Sequence, residues 1–192
     1  MSSSDWARVE VTRTHLELRN AADLRPARLP REPVGLRLHR PIAAAEYRAL
    51  YALVGERWLW RDRLVWTEVE LDRYLTAPNV HIWTLNVGGD TAGYFELQHH
   101  PDASIEIMYF GLVERFIGRG LGGWLLTRAV EESFALGGER VILNTCTLDA
   151  PQALPNYLAR GFSIVRDERH FLAVPTRGRV PRECEAQTAE RG

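Results

Sequence analysis

The sequence predicts an α/β domain, and three features support this prediction. Residues 104–123 have the pattern of a strand, a glycine-rich turn and the start of a helix: strand-forming residues, then four glycines, then apolar residues at helical spacing. Residues 80–98 have the pattern of two strands joined by a Gly-Gly-Asp turn. With 192 residues, of which 45% are hydrophobic, the chain is long enough to bury one substantial core.

The two ends of the chain differ in pattern from its middle. An alternation that shifts partway through residues 8–18 predicts an edge strand or a pair of short strands. We therefore expect residues 1–33 to be an N-terminal edge strand and a polar linker that contains three prolines. The compact domain is predicted over residues 34–174, with a core-covering helix over 42–54 and a second helix that begins at a capping box of Thr67 and Glu70. Residues 175–192 are predicted to be a disordered tail.

Composition excludes several classes of protein. A net charge of −1 creates no general attraction for nucleic acid or an anionic membrane, and no apolar run is long enough to span a bilayer. The first residues lack the apolar core of a signal peptide, so we expect a cytoplasmic protein. Two cysteines make neither a disulfide framework nor a metal site, and the pair His99 and His100 lacks further ligands, so no metal is expected.

The glycines before the predicted helix at residue 121 indicate an anion-binding site. Glycines let backbone N–H groups approach a phosphate closely, and a helix N-terminus adds partial positive charge. Because the chain contains no lysine, a Walker A loop is excluded, and the turn comes too late in the chain for a Rossmann fingerprint. The alternative is that the glycines only let a helix cross closely over a sheet.

The same stretch resembles motif A of the GNAT superfamily of acetyl-CoA-dependent N-acetyltransferases, Gln/Arg-x-x-Gly-x-Gly/Ala. In the preferred register Gly120 and Gly122 take the two small positions, and Ile117 stands where Gln or Arg is usual. A register that begins at Arg115 restores the arginine but shifts the turn by two residues. Residues 153–162 resemble motif B, Ala-x-x-x-Tyr-x-x-x-Gly-Phe, and Asp149 is predicted to be the N-cap of the helix that carries it. The resemblance covers roughly residues 35–174 and implies a mixed, splayed central sheet flanked by helices.

The resemblance also implies how acetyl-CoA would bind. It would enter where two strands splay apart, with the N–H near Leu112 polarising the thioester carbonyl and Val113 pairing with the pantetheine amides. The pyrophosphate would lie on the amides of the glycine turn, with a charge-assisted contact from Arg119, and Asn144 is expected to line the thioester channel. The complete predicted cofactor-binding set is Leu112, Val113, Ile117, Gly118, Arg119, Gly120, Leu121, Gly122, Gly123 and Asn144.

Two residues are predicted to be catalytic. Glu106 lies inside an apolar strand, where a carboxylate is costly to bury, and in the resembled family an acidic residue on this strand deprotonates the amine, directly or through a water. Tyr157 matches the family's tyrosine that protonates the departing thiolate. Alternatively, Glu106 faces water at a strand edge and Tyr157 is a packed aromatic residue. No Cys or Ser–His arrangement indicates a covalent acyl-enzyme, so direct transfer is expected.

The acceptor is the least constrained part of the prediction. Trp58, Trp60 and Trp66 lie in a segment that forms one wall of the acceptor cleft in the resembled family, although ordinary packing explains such rings equally well. A small-molecule or peptide amine is the expected partner, and homodimerisation, common in the family, is not decided by this sequence. A non-catalytic acyl-CoA-binding or sensing protein with the same fold is the main alternative, and a nucleotide-binding module is a third.

Overall fold

A computed structural model describes residues 6–175 as a seven-stranded mixed sheet with helices packed against it. The strands lie in the order β2-β3-β4-β5-β6-β1-β7. Their bounds are Trp6–Leu18 (β1), Val34–His39 (β2), Val80–Val87 (β3), Asp90–His99 (β4), Ser104–Leu112 (β5), Arg140–Cys146 (β6) and Ser163–Pro175 (β7). The α-helices are Ala44–Gly55 (α1), Glu68–Leu75 (α2), Leu121–Ala135 (α3) and Ala153–Ala159 (α4).

The N-terminal strand is an interior strand, so the prediction of an edge strand is wrong. β1 pairs antiparallel with β6 on one side and with β7 on the other. Its register with β7 shifts between His15 and Leu16. A β-bulge of this kind changes which face the following residues occupy, which explains the shift in alternation seen in the sequence. The predicted tail lies, apart from Pro175, outside the described residues.

The middle of the sheet is covered on both faces. Six successive residues of β4, from Ala92 to Leu97, are buried, whereas a strand exposed on one face alternates between buried and exposed residues. Helix α1 forms where the 42–54 pattern predicts it. Helix α2 begins at a capping box in which the side chains of Thr67 and Glu70 each bind the other's backbone N–H. These helices pack near the strands that lead to the split in the sheet.

The sheet splits between β5 and β6, as the resemblance implies. These two strands are the parallel pair, and their pairing runs only from Ser104 opposite Arg140 to Glu106 opposite Ile142. Beyond that point β5 continues to Leu112 paired with β4, while β6 continues to Cys146 paired with β1. Since each strand keeps its outer partner, the two halves of the sheet diverge and leave a gap between them.

Candidate active site

A cavity of about 600 Å³ lies at this split. Its walls come from the second half of β5, the glycine turn, the end of β6, α4 and residues 58–62. Of the residues predicted from the sequence, those that line the cavity are Leu112, Ile117, Gly118, Gly120, Gly122, Gly123, Asn144 and Tyr157. The cavity therefore brings together two motifs that are separated by about thirty residues in the sequence.

The glycine turn leaves backbone donors free beside the cavity. Gly118 and Gly120 have φ angles of 84° and 78°, in the left-handed region that favours glycine, and a Cβ at either position would meet open space. Helix α3 begins at Leu121, and its N-cap Gly120 has no side-chain hydrogen bond. The N–H groups at residues 120–123 have no partner in the first helical turn or, within residues 6–175, elsewhere. The turn thus presents free donors and the positive end of a helix dipole.

Gly123 has a different structural role from the other glycines of the turn. A Cβ there would lie 2.6 Å from Nη1 of Arg160 and 3.1 Å from Cβ of Ala27. A Cβ added at Gly122, by contrast, would have its nearest neighbouring atom 3.6 Å away, an ordinary contact. The missing side chain of Gly123 therefore makes room for an arginine of α4's C-terminal end and for the N-terminal segment.

Backbone groups of β5 point into the gap at Leu112 and Phe110. The N–H of Val113 donates to the carbonyl of Ala92 on β4 at 2.9 Å. Because hydrogen bonds alternate along an antiparallel strand, Leu112, directly before it, directs its N–H and carbonyl away from β4, toward the gap. The carbonyl of Val113 accepts from the N–H of Phe116, so the predicted pairing of Val113 with a pantetheine arm disagrees with this geometry.

Two other predicted cofactor residues lie outside the cavity wall. Leu121 is fully buried in the hydrophobic core, so only its backbone faces the turn. Arg119 forms an ion pair with Glu32 of the N-terminal segment, and its guanidinium also lies over the ring of Phe116. The guanidinium is half-exposed beside the turn.

Glu106 lies at the point of divergence but does not line the cavity. It is the last residue of β5 paired with β6. Its carboxylate lies 3.0 Å from Nε2 of His100 and accepts a long hydrogen bond of 3.4 Å from Nδ2 of Asn144. Because Asn144 lines the cavity, it connects Glu106 to the space where chemistry would occur. In this arrangement Glu106 would not directly contact a substrate bound in the cavity.

Tyr157 lines the cavity from α4. Its ring packs against Phe110 and Phe162, with centroid separations of 6.1 and 6.2 Å. Among the described residues no group hydrogen-bonds to its hydroxyl. Burial and the negative charge of Asp149 raise the pKa of Tyr157 above its usual value, so the phenol stays protonated at neutral pH.

Asp149 places a carboxylate in the cavity wall, a position that was not predicted from the sequence. The pattern predicts it as the N-cap of the motif B helix, but α4 begins only at Ala153. Its side chain instead closes the turn after β6, accepting hydrogen bonds from Oγ1 of Thr145 at 2.7 Å and the N–H of Cys146 at 2.8 Å. Burial raises the pKa of the carboxyl, and these hydrogen bonds oppose that shift.

Cys146, at the end of β6, is a poor nucleophile despite lining the cavity. Burial and the nearby charge of Asp149 raise the pKa of its thiol to about 11. Since the thiolate is the reactive form, little of it is present at neutral pH. The described cavity wall includes no histidine that would activate this thiol.

The three tryptophans divide between the cavity and the core. Trp58 and Trp60 line the cavity. The Trp60 ring packs against Tyr109, with a centroid separation of 5.1 Å. A Cβ at Gly55 would lie 2.4 Å from this ring, so the missing side chain of Gly55 makes room for Trp60. Trp66 packs instead against Tyr74, with a centroid separation of 5.3 Å.

A buried ion pair holds residues 62–66, directly after the cavity tryptophans, against the sheet. Glu96 of β4 is fully buried and forms an ion pair of 3.1 Å with Arg63. The hydroxyls of Tyr47 and Tyr74 each donate to the same carboxylate at 2.5 Å. The Arg63 guanidinium also lies 4.1 Å from the centroid of the Trp66 ring. This network, Glu96 with Arg63, Tyr47 and Tyr74, fixes the segment that directly follows the 58–62 wall of the cavity.

The described residues hold neither a metal-binding cluster nor a membrane-spanning helix. Within residues 6–175, no group of three or more His, Cys, Asp and Glu side chains is placed to hold a metal ion. None of the helices in that range is both long and apolar enough to cross a membrane.

Comparison with known proteins agrees with the fold and the motifs. A mycothiol acetyltransferase from Corynebacterium aurimucosum is 31% identical over 106 residues, a match that covers 52% of this chain and 34% of the relative. This chain therefore spans about a third of that relative's length. A GCN5-related N-acetyltransferase from Kribbella flavida superposes with a TM-score of 0.59 at 16% identity, covering 93% of this chain and 63% of that one.

Another solved structure, an aminoglycoside acetyltransferase from an uncultured soil metagenomic sample, superposes with a TM-score of 0.56 at 14% identity, over 66% of this chain and 86% of that one. At these identities the superpositions show the fold alone. The sequence profile of the Acetyltransferase (GNAT) family matches residues 47–162, which include both motifs and the split between β5 and β6. The chain belongs to the GNAT family of acetyltransferases.

Proposed function

We propose that this protein is an N-acetyltransferase that moves the acetyl group of acetyl-CoA directly to a primary amine. The observation that carries the proposal is that the glycine turn, with its free N–H groups, and the Tyr157 side chain line the same cavity at the split. Membership of the GNAT family supports the same chemistry. Acetyl-CoA would supply an activated acetyl thioester, and the residues of the chain would bind, orient and exchange protons with the reactants.

The residues of the glycine turn would hold the pyrophosphate of acetyl-CoA. The N–H groups at 120–123 are free donors, and Arg119 lies beside them. Further along the split, the N–H of Leu112 points into the gap and would donate to the acetyl carbonyl oxygen. Val113 contributes no free backbone N–H to this arrangement.

Glu106 is the proposed general base. A free primary amine is mostly protonated at pH 7, so a carboxylate must remove a proton before attack. Since Glu106 reaches the cavity only beside Asn144, the proton would pass through a water held at that asparagine. Asp149 is the second candidate, because it lines the cavity itself, but its carboxylate already closes the turn after β6.

Tyr157 is the proposed general acid. Its hydroxyl is protonated at neutral pH and makes no hydrogen bond to another described residue, so it is available to the departing thiolate. For the acceptor we favour a small-molecule amine over a peptide, because one relative is named for mycothiol and one structural neighbour for aminoglycosides. The carboxylates of Asp62 and Asp149 in the cavity wall would attract its ammonium group.

Assays of CoA release over a panel of amines, with Tyr157→Phe and Glu106→Gln, test this proposal. We expect each variant to lower kcat by about 10²-fold or more while the affinity for CoA, measured by calorimetry, stays unchanged. Asp149→Asn is the matched comparison, and it should leave kcat within a few-fold of wild type. If Asp149→Asn lowers kcat and Glu106→Gln does not, Asp149 is the base.

The same experiment separates the enzyme from a non-catalytic acyl-CoA-binding protein. A binding or sensing protein would retain CoA but release thiol at the same background rate with and without every amine. In that case neither Tyr157→Phe nor Glu106→Gln would change the rate, and the enzymatic proposal would be wrong.

A further inference from the structure

A second groove, of about 660 Å³, lies beside the glycine turn. One wall is the N-terminal segment over residues 27–32, and the other is the start of α3. Gly120 and Gly123 line both this groove and the main cavity, so the two spaces adjoin at the glycine turn. The charged side chains that line the groove are Arg28, Arg31, Glu32, Arg119 and Arg160. Four guanidinium groups and one carboxylate make it strongly positive in a chain whose net charge is −1.

The N-terminal segment is fixed in place over the turn by three contacts. The N–H of Ala27 donates to Oγ1 of Thr127 on α3 at 2.9 Å. The N–H of Arg25 donates to the carbonyl of Arg160 at 3.0 Å. Glu32 forms the ion pair with Arg119. The segment is therefore held beside the turn by backbone and side-chain contacts at both of its ends.

The arginines of the groove are available to a ligand. Arg28 and Arg31 are exposed, and within the described part of the chain neither has an ion-pair or hydrogen-bond partner. Nε of Arg160 is buried without a partner. Beside them, Leu29 exposes 82% of its surface, although it is a large apolar residue on an otherwise polar segment. Guanidinium groups bind phosphate in bidentate geometry, and an exposed apolar side chain can pack on a planar base.

We infer that this groove binds the adenosine 3′-phosphate end of coenzyme A, with Arg28 and Arg31 on the 3′-phosphate. This inference rests on the proposed function, because the pyrophosphate must lie on the adjoining turn. Leu29 packs against the adenine, and Arg160 lies between the pyrophosphate and the ribose. Glu32 competes with the ligand for Arg119, so the ion pair weakens binding until the phosphate replaces the carboxylate.

Calorimetric titration of the whole chain with CoA and with 3′-dephospho-CoA tests this inference. Wild type should bind CoA about tenfold more tightly than dephospho-CoA, because charge-assisted contacts to one phosphate are lost. The double variant Arg28→Ala/Arg31→Ala should lower CoA affinity by about the same factor and change dephospho-CoA affinity less than twofold. Arg37→Ala, which removes an exposed arginine on β2, is the matched control and should change neither affinity. Glu32→Gln should tighten CoA binding about two- to threefold by removing the competing charge.

The outcomes separate this inference from the proposed function. Equal wild-type affinity for the two ligands, or equal weakening of both by the double variant, would overturn the phosphate contacts and leave the acetyltransferase proposal standing. Failure of wild type to bind either ligand would overturn both. Melting temperatures of the four proteins, measured without ligand, should agree closely, since the replaced side chains are exposed or half-exposed.

Discussion

The two sides of the main cavity are built in different ways. The turn at 118–123 consists of consecutive residues, and its chemistry comes from backbone N–H groups and two left-handed glycines. The opposite wall, residues 58–62, is held in place by side chains far apart in the sequence. Glu96 is 33 residues from its partner Arg63 and 49 residues from its partner Tyr47. One side of the cavity is thus a local backbone structure, whereas the other exists only when distant elements have packed.

This difference has a consequence for mutation. A substitution at Gly118 or Gly120 changes a few backbone angles and the positions of nearby N–H groups, because a Cβ at either position meets open space. A substitution in the Glu96 network leaves a buried charge without its partner, so it changes the stability of the whole fold. The following predictions test that contrast, beginning with the largest effect.

Glu96→Ala should lower the free energy of unfolding by about 3–5 kcal/mol, because it leaves Arg63 buried and unpaired. Urea unfolding measures this change. Glu139→Ala, at an exposed position before β6 whose side chain has no ion-pair partner among the described residues, is the control and should change stability by less than about 0.5 kcal/mol. Glu96→Leu combined with Arg63→Met should lose less than Glu96→Ala, because the buried charge is then removed with its partner. A loss below about 1 kcal/mol for Glu96→Ala would contradict the importance assigned to the network.

Gly120→Ala should cost about 1–2 kcal/mol of stability, because its φ of 78° places a Cβ against the following carbonyl. It should also weaken CoA binding, since relief of that strain moves the N–H groups of the turn. Gly35→Ala on β2 is the matched control, because its Cβ meets open space and its φ is not in the left-handed region; it should be neutral or slightly stabilising. Urea unfolding and calorimetry check both effects. Equal effects at the two positions would show that the conformation of the turn is unimportant.

The smallest predicted effect is a pH dependence of stability that comes from His39 on β2 and His81 on β3. Burial lowers the pKa of His39 and of His81, and the charge of Arg40 lowers the latter further. The unfolded chain then binds more protons than the folded chain below about pH 6.5. This stability is therefore fully present above that pH and is lost progressively as the pH falls from there through the lower pKa values of the two histidines in the folded state. Protonation at Nδ1 of His81 would also break its 2.8 Å hydrogen bond from Arg40.

Urea midpoints at pH 7.5 and pH 5.5 measure this dependence, and the double variant His39→Gln/His81→Gln should show a smaller difference between them. A wild-type midpoint that rises as the pH falls would have the wrong sign for these two histidines. The glycine turn has no corresponding pH dependence, since its donors are backbone amides.

Most of the elements that form from neighbouring residues could be predicted. The glycine turn, the capping box of Thr67 and Glu70, and the helix over 42–54 depend on residues within a few positions of each other. Two predictions failed, one because it depended on a distant strand and the other because a competing local turn formed. The alternation over residues 8–18 does not indicate that β7 pairs along the length of β1. Asp149 closes a turn with Thr145, whereas the sequence pattern predicts that it caps a helix.

The sequence by itself determined that the chain is an α/β protein with a glycine turn that leads into a helix, because periodicity and glycine conformation are properties of short segments. Only the tertiary structure decided which groups share the cavity. It placed Asp149 and Cys146 in the cavity wall, kept Glu106 outside it, and brought residues 27–32 beside the glycine turn. These outcomes follow from the order in which the strands pair. Paired strands can be far apart in the sequence, so no short stretch of residues shows which strands will be neighbours.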